Sequence, residues 1–300
     1  MDGVLVIDKP AGPTSHDVVA RMRRALGERR IGHTGTLDPA ATGVLPLVVG
    51  RATRLAQFLT SATKEYRASV RLGWATDTYD ATGQPVDPPA PGVPPVAVTP
   101  AQVEAALEGF RGTYDQPPPP FSAKKIGGVR AYELARRQAP VAPAPVPVTV
   151  HALELLTCAG DRLELRVVCS AGFYVRTLAH DLGRRLGVGG HLTALRRTRS
   201  GAFDETMAVG LEEAERLGPA VAARLTPMDA LLPDLPAAVL NASGLRKTDH
   251  GSDLGPADLV RRLAPGVTGR CRLVDEAGGL IALAEVRPGS GLLHPSIVLK

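Results

Sequence analysis

The chain is short of the residues that disulfide, metal or membrane chemistry would need. Its 300 residues include three cysteines, Cys158, Cys169 and Cys271, an odd number without metal-ligand spacing. That excludes a disulfide-stapled secreted scaffold and fits a reduced, cytoplasmic protein. No apolar run approaches the length of a membrane span. The N-terminus sets Asp2, Asp8 and Lys9 around four apolar residues, which is no signal peptide. Aromatic residues make up 4%, too few for a broad stacking platform on single-stranded nucleic acid. Walker loop, dinucleotide fingerprint behind a strand, paired histidines at ligand spacing and internal repeats are all missing. The expectation is therefore an enzyme or binding protein with no cofactor and no metal.

What the chain does have is 44% hydrophobic residues, enough for a sizeable core, and a net charge of +5. Most of that excess lies in residues 121–151, where five basic side chains (Lys124, Lys125, Arg130, Arg136, Arg137) face one acidic residue, Glu133. Proline and glycine flank the cluster, at residues 117–120 and 127–128. A basic excess in such a setting suits a mobile arm that meets phosphates.

Hydrophobic periodicity places the remaining elements. Residues 3–7 read as a strand, and Thr14 or Ser15 caps a helix to about Leu26 with Val18, Val19, Met22, Ala25 and Leu26 on one face. Residues 44–49 read as a buried strand, and 52–59 as helical. Tyr66, Ala68, Val70 and Leu72 alternate with polar residues as a half-buried strand. Thr99, Pro100 and Gln102 form a capping box for a helix to Glu108, and residues 131–137 a short basic helix. Residues 139–147 read as extended spacer. Residues 153–156 and 163–169 pair as a hairpin about Gly160-Asp161, which makes Cys169 a buried structural thiol rather than a nucleophile. Residues 175–186 and 211–217 read as helices, 227–236 as an interdomain linker, and 237–300 as a small β-rich module. Strands and helices without a regular βαβ rhythm indicate an α+β fold, with a mixed, mainly antiparallel central sheet flanked by helices.

One segment stands out. Residues 32–45, Gly-His-Thr-Gly-Thr-Leu-Asp-Pro-Ala-Ala-Thr-Gly-Val-Leu, surround Asp38 with glycine, proline and threonine and run straight into the 44–49 strand. Such a segment cannot continue a helix, so Asp38 sits on a tight loop beside the core. Local chemistry alone would let Asp38 cap a turn. With this loop come Asp8–Ser15, Lys64–Arg67, Thr76–Asp80 and Cys169–Leu178, in order. Together they resemble the bacterial tRNA pseudouridine synthase B family, from the N-terminus to about Gly201 and more faintly beyond.

The resemblance implies isomerisation of uridine to pseudouridine in the T loop of tRNA, at position 55, with base flipping, no cofactor and no guide RNA, by a monomer. It implies that Asp38 is the essential carboxylate, acting at the sugar as nucleophile or as base. An acid kept ionised in a dry pocket needs a fixed cation, and Arg176 suits the task. Asp80 would hold Arg176. Tyr66 would stack on the target base, His33 would fill the space the base leaves, and Leu195 would lie near the base. Lys9, Pro10 and Gly12 match as a structural turn. Phe173 stands where relatives commonly have threonine. Two domains are expected: a catalytic domain of residues 1–231 carrying the arm of about 121–151, and a PUA-like RNA-binding domain of residues 237–300. Two rivals are an RNA chaperone on an inactive scaffold and a glycosidic hydrolase, which would ordinarily need a second carboxylate.

Overall fold

The computed structural model describes residues 1–86, 88, 96–121, 125–126, 129–130 and 144–299. Among these, a mixed sheet of eleven strands forms the larger body. Its central path runs Val209–Gly210, Gly3–Lys9, Thr42–Val49, Gly190–Ser200, Lys64–Leu72, Arg162–Cys169, Val146–Ala159 and Gly112–Gln116. Neighbours are antiparallel except where Gly3–Lys9 meets Val209–Gly210 and where Thr42–Val49 meets Gly190–Ser200. The α+β expectation with a mainly antiparallel sheet holds.

Strand alternation explains why the N-terminal strands are apolar on both faces. Leu5, Ile7, Leu45 and Leu47 point into one core, shared with the helices Ser15–Leu26, Pro100–Leu107, Val175–Arg185 and Leu211–Leu217. Val4, Val6, Val44 and Val48 point the other way, against Phe203, Met228, Leu231 and the C-terminal residues Leu280, Leu283 and Leu299. Continuous apolar runs are the signature of a strand covered on both sides.

Residues 237–298 form a second sheet of five strands, in the order Leu259–Arg261, Ala237–Leu240, Gly269–Val274, Leu280–Val286 and Leu293–Val298. Its own core holds Leu240, Leu254, Cys271 and Leu273. Arg272 ties it back through the carbonyls of Asp229, Pro233 and Leu235.

Several elements differ from the sequence expectation. Residues 146–147, read as spacer, begin the long strand Val146–Ala159, because Val148 and Val150 bury behind Pro147. The hairpin with Arg162–Cys169 is therefore longer than 153–156 suggested, with two register shifts. The 227–236 stretch is no free linker: Met228 and Leu231 are buried. The 52–59 helix splits into a 3-10 turn, Gly50–Leu55, and the short helix Ala56–Thr60. Gly190–Ser200, unrecognised as a strand, lies at the centre of the sheet. The 131–137 helix lies outside the described residues.

Candidate active site

Asp38 projects from a loop that backbone carbonyls and buried cations hold from both sides. Ser15, at the start of its helix, accepts from the Leu37 amide (2.9 Å) and donates to the Leu37 carbonyl (3.1 Å). The Lys9 amine, fully buried, donates to the carbonyls of Pro10, Pro39 and Ala41 at 2.9, 3.0 and 2.7 Å. Burial brings Lys9 down to about 8, opposed by the attraction of Asp38. This matches the structural role expected of the Lys9 turn. Gly43, at φ +98°, passes so close to the Arg197 backbone that a Cβ would stand 2.2 Å from its carbonyl oxygen. No other residue type fits there.

Arg176 meets Asp38 from across the sheet. It is the second residue of the helix Val175–Arg185, whose entry is fixed by buried Gln116: the Tyr174 amide donates to it (2.8 Å), and it donates back to the Tyr174 carbonyl (3.1 Å). The guanidinium engages both Asp38 oxygens, with Nε 2.9 Å from Oδ2 as an ion pair and Nη2 donating to Oδ1 at 3.3 Å. Its Nη1 lies 3.6 Å from Asp80 Oδ2 and donates to the Thr78 carbonyl at 3.2 Å; Nη2 also donates to the Phe121 carbonyl at 3.0 Å. The Arg176 side chain is 7% exposed and that of Asp38 41%. A rigid fork between two carboxylates is the arrangement that fixes a carboxylate's orientation.

Asp80 is itself built in. Thr78, Thr82 and the Thr82 amide donate to its Oδ1 at 2.8, 2.5 and 2.9 Å. The preceding Tyr79 takes the left-handed backbone, φ 67°, and its ring stacks on His180 at 3.8 Å. A non-glycine residue held in that region is strained, and such strain tends to sit at functional sites.

A cavity of about 250 Å³ joins these groups: Asp38, Arg176, Tyr66, Leu195, Phe173 and Tyr174 all line it. Tyr66 is buried on its strand, and loss of solvent raises its ionisation above the ordinary tyrosine value. Asp80 joins Asp38, Arg176 and Leu195 around an adjoining smaller recess. His33 is not brought in. It packs edge-on against His16 at 5.2 Å, accepts from the Gly35 amide at 3.4 Å, and burial carries it down to about 4, so it is neutral at pH 7. Lys124, Arg136 and Arg137 lie outside the described residues; Lys125 and Arg130 pair through their backbones in a two-stranded hairpin. Cys169 is buried and burial pushes its thiol up to about 12, which leaves it inert. Among the described residues no cluster of His, Cys, Asp or Glu could hold a metal, and no helix is long and apolar enough to cross a membrane.

Lys64 and Arg197 also line the cavity, and the sequence had not singled them out. Arg197 is 1% exposed and donates to the carbonyls of Val44 (2.7 Å) and Gly35 (3.0 Å), at either end of the Asp38 loop. Once Gly190–Ser200 is seen to be a strand, Arg197, two residues beyond Leu195, falls on the same face as it.

Comparisons with known proteins point one way. A family described as TruB family pseudouridylate synthase (N terminal domain) matches residues 23–175, and one described as tRNA pseudouridylate synthase B C-terminal domain matches residues 176–233. The chain is 44% identical to a tRNA pseudouridine synthase B from Solibacter usitatus over the full length of both. It is 43% identical to one from Thermobifida fusca, covering 96% of each chain. Among solved structures it resembles a chain of the archaeal box H/ACA sRNP Nop10–Cbf5 complex, with TM-score 0.72 and 28% identity over 99% of this chain and 86% of that one. A chain of an H/ACA RNP bound to a substrate RNA containing 2′-deoxyuridine gives 0.74 and 26%, over 99% and 85%.

Proposed function

The chain belongs to the TruB family of pseudouridylate synthases and is a tRNA pseudouridine synthase, and we propose that its substrate is the uridine at position 55 of the tRNA T loop. The reaction turns uridine into pseudouridine: the base leaves the ribose through nitrogen, rotates, and rejoins through carbon. The observation that supports the residue assignment is the Asp38–Arg176–Asp80 chain, whose first two members share a cavity with Tyr66 while Asp80 lines the adjoining recess.

In this reading Asp38 acts on the sugar of the extruded nucleotide, as nucleophile or as base. Arg176 keeps it aimed, and Asp80 fixes Arg176. Tyr66 stacks on the base and Leu195 packs beside it. The Asp38 side chain is 41% exposed, so the cleft does not by itself exclude water; the flipped nucleotide would complete the enclosure. His33 would fill the space that the flipped base leaves in the RNA. Lys124, Lys125, Arg130, Arg136 and Arg137 would meet phosphates, which position the RNA without reading its sequence. Residues 1–231 would form the catalytic domain and 237–300 a PUA-like module that extends the RNA contact. The enzyme would work in the cytoplasm as a monomer, without guide RNA and without a cofactor.

The H/ACA neighbours favour a second reading, in which a guide RNA presents the substrate. Incubating purified protein with an unmodified T stem-loop RNA and mapping pseudouridine separates the two. Modification at position 55 with no added RNA supports the proposal. Unchanged uridine, or change that requires a guide, contradicts it. Release of free uracil would mark a hydrolase instead.

A further inference from the structure

Besides Arg176, three buried cations lie about the Asp38 loop and its cleft, Lys9, Lys64 and Arg197, and the assignment above gives none of these three a partner in the reaction. Lys9 is accounted for: three carbonyls take its three protons. Lys64 and Arg197 are not. Lys64, 5% exposed, gives two protons to the carbonyls of Thr60 and Ala62 and has a third. Arg197 gives protons to the carbonyls of Val44 and Gly35, and a guanidinium carries five. The two side chains converge at Gly35, where a Cβ would stand 3.4 Å from Arg197 Nη1 and 3.7 Å from Lys64 Cε. Both line the cavity that Asp38 and Tyr66 share. Among the described residues neither forms an ion pair. Burial, with Arg197 adding to it, brings Lys64 down to about 8. Two adjacent charges held out of water without a carboxylate are costly, and they make a preformed site for negative charge.

We propose that Lys64 and Arg197 form the oxyanion site for the detached base, binding the uracil through its carbonyl oxygens while it carries the negative charge. This rests on the isomerase reading. When the bond from C1′ to N1 breaks, its electron pair stays on N1 and spreads onto the carbonyl oxygens, whichever role Asp38 takes at the sugar. The bond or proton that Asp38 takes from the sugar is returned when C5 attacks C1′. C5 then loses its proton to solvent and N1 gains one from solvent, so the base ends neutral and no oxidant or reductant enters. Arg176 cannot serve this purpose, because its fork is committed to Asp38 and Asp80. The two cations are worth most while the base is detached, which is the condition for lowering the barrier rather than tightening the ground state.

Two measurements test it together. The first is single-turnover rate and affinity on T stem-loop RNA. Lys64→Met should slow conversion about 100-fold while affinity stays within about threefold, and Lys64→Arg, which keeps the charge, should retain most of the rate. The second is binding of 5-nitrouracil, an anion at neutral pH, against neutral uracil. The wild-type protein should prefer the anion by about tenfold or more, and Lys64→Met should lose that preference. Lys64→Met turning over at the wild-type rate overturns the proposal. So does an equal loss in Lys64→Met and Lys64→Arg with both bases bound alike, which would mean that Lys64 only braces the chain between Thr60 and Ala62. Wild-type protein that prefers the anion yet leaves uridine unchanged would sink the isomerase reading and keep the anion site.

Discussion

In the C-terminal module, Asp258 has a side chain 4% exposed and accepts from Lys247 (2.8 Å), Ser243 (3.1 Å) and the Gly255 amide (2.9 Å). In the cleft, Asp38 is 41% exposed and, among the described residues, its side-chain partner is Arg176. A carboxylate offers about four acceptor positions. Asp258 fills most of its own within the chain, and its product is a fixed turn. Asp38 keeps acceptor positions open toward a cavity. The cations follow the same division: Lys247 is paired with an acid, while Lys64 and Arg197 are buried and form no ion pair among the described residues. Within one chain, saturation of a charged group marks structure and incomplete saturation marks the place where a substrate is expected.

The comparison can be broken by exchanging the effects. Asp38→Asn should lower turnover by about 10⁴-fold or more and leave RNA affinity within about tenfold, because phosphate contacts dominate binding. Asp258→Asn should leave turnover of the folded protein unchanged. Reversed outcomes in a single-turnover assay would remove the distinction. Arg176→Met should cost about 10²–10³-fold in turnover, and Arg176→Lys should not restore it, since an ammonium cannot bridge two carboxylates as a fork does. Equal rates for the lysine variant and wild type would reduce Arg176 to a point charge.

Two smaller effects sharpen the contrast. Neutralising Lys124, Lys125 and Arg130 should weaken RNA binding about tenfold and flatten its log–log salt dependence by about 2–3, which a titration across salt concentrations would register; an unchanged slope would exclude the arm from phosphate contact. Asp258→Asn should lower stability by about 1–3 kcal/mol in a melting experiment at neutral pH. The Lys247 hydrogen bond holds the Asp258 carboxyl below its ordinary value against burial. A depressed folded value means full stabilisation above the unfolded value near pH 4 and loss as pH falls further. The variant should lack that part of the acid limb.

The Asp38 loop was legible because glycine, proline and threonine around one acid leave few backbone choices, and the 66–72 strand because its alternation is clean. The turn at Gly160-Asp161, the Thr14 and Thr99 caps and the burial of Cys169 followed from equally local chemistry. Gly190–Ser200 was not legible. Its Arg196, Arg197 and Arg199 suggest a solvated surface, yet Arg196 pairs with Asp8 and Glu205, Arg199 with Glu65, and Arg197 turns into the cleft. Those partners are up to 188 residues away, so no local pattern announces them. Residues 227–236, read as an interdomain linker, lie between the two sheets, and Met228 and Leu231 pack into the core that joins them, which their prolines do not announce. His33 lies on the same loop, packed edge-on against His16.

The most direct test of the central claim is release of tritium from a T-loop RNA labelled at uracil C5, measured under single turnover for wild type and Asp38→Asn at matched RNA occupancy. Wild-type protein should release one equivalent from the position-55 uridine and the variant none. Equal release from both proteins, or none from wild type bound to its RNA, would contradict a cleft in which Asp38 drives the isomerisation.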